Sequence, residues 1–317
     1  MFKVLVLKEL YNSQVNQILE IVLNASETDG ARPFSEHVEL HLRSGGDRPV
    51  IHLVVQNDLN KIVGYGHLDI TDLVAGPSGE LVVHPDFRLK GIATQIVNEM
   101  KNLIGDKPLR LWSHGDTDIA KQFSEKLGFN SIRNIIQMRR SLFAPIDNFS
   151  FPQNFSTRNF ETSKDFDIFL ELNKKCFKDL PDQGSWTSKD LELRIKESWF
   201  NPEGFLLVED EKKQLVGFCW TKVHGQDHNH EIDDGHSHLS HGHEPIGELY
   251  VIGVDPDHQN LGLGKTLTLW GLNHLRRNGL DSAMLYVDSD NKKAINLYTS
   301  LGFGFWGLDR LYKSRNK

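Results

Sequence analysis

The strongest constraint on the fold is that the chain carries one pattern twice. Leu81-Val82-Val83-His84-Pro85-Asp86 leads into Arg88-Leu89-Lys90-Gly91-Ile92-Ala93, and Tyr250-Val251-Ile252-Gly253-Val254-Asp255-Pro256 leads into Gln259-Asn260-Leu261-Gly262-Leu263-Gly264. Further on, each half carries a second match, Lys126-Leu127-Gly128-Phe129 and Ser300-Leu301-Gly302-Phe303. Two features in the same order at similar separation indicate duplication of a whole domain; a short-period solenoid is excluded. The 317 residues accommodate two domains of about 100–200 residues each. The copies are expected at 1–143 and 157–317, joined by a linker at 144–156 that contains Pro145 and Pro152.

Each copy shows the same coarse order. An early helix (Val15–Leu23; Phe166–Cys176) precedes strands at His52–Gln56 and Ile62–His67, and at Gly204–Glu209 and Leu215–Lys222. The apolar strand before the Gly-containing turn comes next, then a helix, a short strand (Leu109–Ser113; Ala283–Asp288) and a last helix ending at the LGF element. This alternation predicts an α/β (α+β) fold with a mixed sheet in each half.

Composition removes several function classes. Lys and Arg total 36 against 43 Asp and Glu, a net charge of −7, whereas nucleic-acid binding draws on clustered cations that neutralise phosphates. No run approaches the ~18 apolar residues of a membrane span, and Lys8 and Glu9 interrupt the first apolar stretch before a signal-peptide core can form. The two cysteines, Cys176 and Cys219, sit in apolar contexts and read as reduced core residues of a cytoplasmic protein. Nucleic-acid and membrane partners are therefore not expected, and a duplicated chain that pairs its own domains is expected to be a monomer.

The turn Gln259–Gly264 lies between an apolar strand and a helical segment at Lys265–Asn278. Glycines let backbone N–H groups approach an anion, and the helix N-terminus adds free donors and partial positive charge. The turn is neither a GK[ST] phosphate loop nor GxGxxG. It is either a pyrophosphate cradle or a strand-to-helix turn that needs glycine for geometry, and its recurrence after matching strands favours the cradle.

Gln259, Gly262 and Gly264 after a V-x-P strand, followed by Asn291, Ala294, Tyr298, Gly302 and Phe303, resemble the acetyl-CoA signature of the GCN5-related N-acetyltransferase (GNAT) superfamily. Two such domains with the strings GELYVIGVDP, LYVDSDN and DQGSWT are similar to the mycothiol synthase family within it, most closely over 246–313. The resemblance implies two tandem GNAT-like domains and acetyl-CoA as co-substrate, with no metal required. It implies acetyl-CoA contacts at Ile252, Gly253, Val254, Gln259, Asn260, Leu261, Gly262, Leu263, Gly264 and Lys265, and at Asn291, Lys292, Lys293, Ala294, Ile295 and Asn296. In the first copy it implies contacts at Leu81, Val82, Val83, Leu89, Lys90, Gly91, Ile92, Ala93 and Thr94. The family's cysteinyl-glucosaminyl-inositol acceptor, a small-molecule amine, would meet Glu36, Asp182, Lys222, Glu248 and Tyr286 in a site shared by the two halves. Asp182 is a shorter acid than the Glu expected at its position.

Acetyl transfer from a thioester to an amine needs a donor for the carbonyl oxygen, a base for the ammonium and an acid for the thiolate. Backbone N–H groups around Ile252–Val254 can serve the first need. Strand alternation puts Glu248, Tyr250, Ile252 and Val254 on one face unless a bulge intervenes, so Glu248 is the candidate base, or else an exposed strand-end acid. Tyr298 follows Asn291 by seven residues, about two helical turns. Its phenol is the acid that the resemblance implies, or a packed aromatic. Asn291 is either a cofactor contact or an N-cap. In the first copy Ser124 stands opposite Tyr298, and Glu80 falls opposite Val251, at the wrong parity for Glu248. That copy, with Ala93 at the last glycine position, is expected to be degenerate and non-catalytic.

Residues 224–243 hold seven of the fifteen histidines. His-x-His pairs can bind Zn²⁺, Ni²⁺ or Cu²⁺, but a hairpin insertion with adventitious metal affinity is the preferred reading. Three function classes stand: the family's own N-acetyltransferase activity, the same chemistry on another small amine or a peptide N-terminus, and a non-enzymatic acyl-CoA- or metal-sensing module. Glu248 and Tyr298 together in one half favour an enzyme.

Overall fold

A computed structural model describes residues 2–44, 50–72, 76–115, 117–224 and 245–315. The elements are β1 (Lys3–Leu7), α1 (Asn12–Asp29), α2 (Glu36–Ser44), β2 (Val50–Gln56), β3 (Ile62–Asp69), β4 (Ser78–Val83), α3 (Ile92–Ile104), β5 (Arg110–Ser113), α4 (Asp118–Lys126) and β6 (Phe129–Ser141). They continue as β7 (Ser156–Asn159), α5 (Thr162–Cys176), α6 (Pro181–Gly184), α7 (Ser188–Lys196), β8 (Phe205–Glu209), β9 (Leu215–His224), β10 (Ile246–Val254), α8 (Leu263–Arg277), β11 (Ser282–Asp288), α9 (Lys292–Ser300) and β12 (Gly304–Ser314). Among the described residues, no helix is long and apolar enough to cross a membrane.

Two compact units result, one of residues 1–136, 288–290 and 307–317, the other of 137–287 and 291–306. The first has strand order β1-β2-β3-β4-β5-β12 and the second β6-β11-β10-β9-β8-β7. The units interleave along the chain. β12 pairs antiparallel with β5, from Arg310↔Ser113 to Lys313↔Arg110, and so covers an edge whose backbone groups would otherwise lack partners. The copies at 1–143 and 157–317 thus describe the order of the repeat, and each sheet is completed by a strand from the other copy.

In the first unit α1 buries Ile18, Ile21, Val22 and Ala25, the spacing of one helix face, against Val54, Ile62, Tyr65 and Val82. On the opposite face α3 sets Ile92, Ile96 and Met100 against Leu53, Val55 and Val63. The second unit repeats this arrangement. α5 packs Phe169 and Leu172 on Phe205, Leu207, Phe218 and Trp220, and α8 covers the other face so closely that a Cβ on Gly271 would lie 2.4 Å from Leu249. In each unit the helix that starts at the repeated turn lies on one face of the sheet and the early helix on the other.

Candidate active site

The repeated sequence encodes a repeated backbone. A short 3-10 turn (Pro256–His258) leads through Asn260 at φ 65° and Gly262 at φ 83° into α8. Pro85–Phe87 leads likewise through Leu89 at φ 60° and Gly91 at φ 82° into α3. Left-handed residues cost a side chain about 1–2 kcal/mol, which accounts for the glycines; Leu89 adopts the conformation with its side chain 98% exposed. A Cβ on Gly262 or Gly91 would meet nothing within 4 Å, so no packing closes the space in front of either turn. The first-turn N–H groups of α8 have no intrahelical acceptor, and that turn carries no acidic side chain. The α8 turn can therefore hold a phosphate on backbone donors.

The start of α9 lies beside this turn. Lys293 Nζ donates to Asn260 Oδ1 at 2.7 Å, and Leu297 lies 3.8 Å from the position of a Cβ on Gly264. Asn291 is an N-cap, accepting from Ala294 N–H at 3.1 Å. Its Oδ1 is thereby engaged, and the residue is exposed. Gln259, Leu261, Lys265, Lys292 and Asn296 are exposed around the same end, and Ile295 is half-buried.

β10 departs from regular pairing on both of its sides. Its parallel ladder with β11 consists of Gly247↔Ala283 and Glu248↔Met284, whereas its antiparallel ladder with β9 runs on to Val254↔Gly217. The two parallel strands part beyond Glu248, and the backbone of Ile252, Gly253 and Val254 borders the opening. The β9 ladder also shifts register between Leu249 and Val251, a bulge at Tyr250. This corrects the expectation that Glu248, Tyr250, Ile252 and Val254 share a face. Gly247 points at Leu275 of α8, and Glu248 therefore faces α5. Tyr250 and Val251 also belong to the α5-side cluster. The extra residue reverses the alternation, so Ile252 and Val254 turn towards α8.

Glu248 is 6% exposed. His224 Nε2 lies 2.5 Å from its Oε2. Lys222 stands opposite Glu248 in the ladder, its Nζ 4.4 Å from the Trp199 ring and 5.4 Å from the Tyr250 ring. Arg194 donates to the Tyr250 hydroxyl at 2.7 Å and stacks 4.1 Å from the Trp186 ring. The bulge residue is thus held by an aromatic and cationic wall. Burial pushes the Tyr298 phenol up, and Cys219 adds to the shift, so the phenol keeps its proton at neutral pH. Tyr286, 45% exposed, accepts a hydrogen bond from Gln137 at 2.7 Å. Asp182 belongs to α6 of this unit, and Glu36 opens α2 of the first unit, half-buried. The histidine-rich stretch lies outside the described residues beyond His224, which is the last residue of β9 and not part of a loop.

In the first unit Leu81 and Ala93 are partly buried against the α3-side core that contains Val83 and Ile92. Val82 lies in the α1-side cluster, Thr94 is half-buried, and Lys90 is exposed at the turn. β4 parts from β5 after Ser78↔Arg110 and Gly79↔Leu111, but its ladder with β3 is regular. Gly79 points at Met100 of α3, so Glu80 takes the opposite face, the counterpart of the face that carries Glu248. The expected parity mismatch is therefore overturned, because the bulge in β10 supplies the missing residue. Glu80 is 5% exposed and accepts from Ser35 N–H and Oγ–H, both at 2.7 Å. His114 lies 3.6 Å from it and 2.9 Å from Asp309 of β12. Burial opposes charge on His114, but the carboxylates of Asp309 and Glu80 outweigh it and raise the imidazole to about 10. Ser124, the counterpart of Tyr298, is buried in α4.

The acetyltransferase (GNAT) family profile matches residues 166–303, and a second acetyltransferase (GNAT) domain profile matches 48–131. A mycothiol acetyltransferase of Acidothermus cellulolyticus is 47% identical over 299 residues, 94% of this chain and 90% of that protein. One of Streptosporangium roseum is 43% identical over 95% of this chain and 96% of that protein. The chain belongs to the mycothiol acetyltransferase family. Among solved structures, a tandem GNAT protein from the clavulanic acid biosynthesis pathway superposes with a TM-score of 0.74 at 16% identity, covering 100% of this chain and 99% of that one. A GCN5-related N-acetyltransferase from Sphaerobacter thermophilus superposes at 0.66 with 18% identity, covering 98% and 95%. These neighbours agree with this chain in fold.

Proposed function

We propose that this enzyme transfers acetyl from acetyl-CoA to the cysteine amine of cysteinyl-glucosaminyl-inositol, forming mycothiol, and that the chemistry takes place in the second unit. The observation that carries this reading is the position of Glu248, a buried carboxylate where β10 and β11 part, in the unit that also carries the open α8 turn and Tyr298.

The backbone N–H groups of 261–265 hold the cofactor phosphates, with Lys293 and the Asn291 amide at the border of the cradle. N–H groups of the parted segment 252–254 stabilise the carbonyl oxygen as it gains charge. Glu248 takes a proton from the acceptor ammonium, and Tyr298 gives one to the departing sulfur. Lys222, Tyr286 and Asp182 bind the acceptor; charged and hydroxyl groups suit a ligand rich in hydroxyls with one ammonium. The first unit's turn at 89–94 holds acetyl-CoA without turnover. No metal takes part, and the enzyme works as a cytoplasmic monomer, a setting suited to the free thiols Cys176 and Cys219.

The test is mass spectrometry of products formed from acetyl-CoA with cysteinyl-glucosaminyl-inositol, an amino sugar, a polyamine and a peptide. Acetylation on the cysteine nitrogen, at a rate well above the other acceptors, supports the reading. Preference for any other amine overturns it.

A further inference from the structure

We propose that His224 is the proton outlet of the Glu248 site, a positioning residue that receives the proton Glu248 removes from the amine and passes it to water. The inference rests on the reading of Glu248 as base. The acceptor nitrogen enters as an ammonium, R–NH₃⁺, and leaves as an amide N–H. The C–N bond forms, the C–S bond breaks, and two protons leave nitrogen. The sulfur takes one as the thiolate becomes a thiol. The other must reach solvent in every turnover, or Glu248 remains protonated and the next ammonium finds no base.

Glu248 has little direct access to bulk water, because its side chain is 8% exposed. His224 Nε2 lies 2.5 Å from Glu248 Oε2, and its side chain is 28% exposed. The pair is fixed by strand geometry: Lys222 stands opposite Glu248 and His224 opposite Ile246, which makes His224 the diagonal neighbour on the same face, within reach of a long side chain. A neutral imidazole can accept a proton at one ring nitrogen and release one from the other. Lys222, the other basic side chain at this position, is a donor only while charged. The segment contains six more histidines from His228 to His243; His224, the one of the seven among the described residues, ends a strand against a buried carboxylate.

The experiment uses the full chain with acetyl-CoA and the cysteinyl amine, and compares His224→Ala, His224→Gln and Glu248→Gln with and without added imidazole. Loss of the outlet should lower kcat at least about tenfold in both His224 variants, less than the roughly 10²–10⁴-fold of a general acid or base itself, with KM for acetyl-CoA unchanged. Imidazole in solution should restore both in proportion to its concentration, because it substitutes for the missing shuttle. It should not restore Glu248→Gln. Gln keeps an amide donor near the Glu248 oxygen but cannot carry a proton, so wild-type turnover in His224→Gln would mean that His224 only orients the carboxylate. Slow variants that imidazole does not rescue would also overturn the outlet. If both His224 variants turn over normally while Glu248→Gln is slow, the outlet is wrong and the base assignment stands. Normal turnover in Glu248→Gln removes the base itself. Should the Ala variant fail to fold, the Gln variant carries the test alone.

Discussion

Glu80 and Glu248 occupy corresponding faces of corresponding strands, although one stands three residues before its strand-ending valine and the other six. The bulge at Tyr250 supplies one of the three extra residues, and the other two leave the alternation unchanged, so both carboxylates take the same face. The duplicated framework therefore keeps a buried carboxylate in both copies but gives it different company. Glu248 meets His224, whereas Glu80 accepts from Ser35 and lies against His114. The two carboxylates share a face and differ in the groups that compete for them.

The Glu80, His114 and Asp309 cluster makes a prediction about pH. His114 is held at about 10 in the folded chain, above its ordinary value of about 6.5 in an unfolded one. A raised value stabilises through the protonated form. The contribution is full below about pH 6.5 and is lost as pH rises through about 10. The melting temperature should fall across that window, and His114→Gln should flatten the decline. Equal slopes for the two proteins would show that the imidazolium does not hold β12 in place.

The α8 turn predicts a KM effect separable from strain. Gly262 at φ 83° and Gly279 at φ 79° both leave open space at the Cβ position, so alanine should cost each about 1–2 kcal/mol of stability. Only Gly262→Ala places its methyl group in the proposed phosphate cradle. Acetyl-CoA titrations should show a raised KM for that variant and an unchanged KM for Gly279→Ala. Similar KM values for the two would leave the cradle without support.

Tyr298→Phe removes one phenolic proton from an otherwise unchanged ring. General acids contribute about 10²–10⁴-fold, so kcat should fall at least about tenfold while acetyl-CoA binding persists. Ser124→Ala, the matching change in the first unit, should leave kcat within experimental error.

Replacing residues 226–243 with a short Gly/Ser hairpin should leave kcat within a few-fold, because the replacement retains His224 and removes no proposed proton carrier. Activity lost on replacement, or dependent on added Zn²⁺, would assign the segment a catalytic role.

Much of this was legible in the sequence. The glycine turns and the helices that start at them follow from local rules, because a positive φ favours glycine and apolar spacing marks a helix face. Long-range backbone events were not. Leu249-Tyr250-Val251 reads as ordinary strand, since nothing in those side chains marks an inserted residue; the bulge exists only relative to Thr221 and Trp220 across the ladder. Pairing of β12 with β5 joins residues about two hundred positions apart, with no local signal. In the sequence His224 groups with the histidines that follow it, because composition changes there, while its strand register, which sets its contact with Glu248, depends on Ile246. Glu80 shows the converse: its residue type was a clue, but a parity rule that assumes unbroken alternation discarded it.

The most direct measurement is the steady-state turnover of Glu248→Gln with acetyl-CoA and the cysteinyl amine, alongside its equilibrium affinity for acetyl-CoA. The substitution keeps the shape of the side chain and removes its basicity. If Glu248 is the base, kcat falls at least about tenfold and acetyl-CoA affinity is unchanged, because no part of the phosphate cradle has been touched. Wild-type turnover in this variant, with loss of activity instead on changing Glu80, would place the chemistry in the first unit and contradict the account.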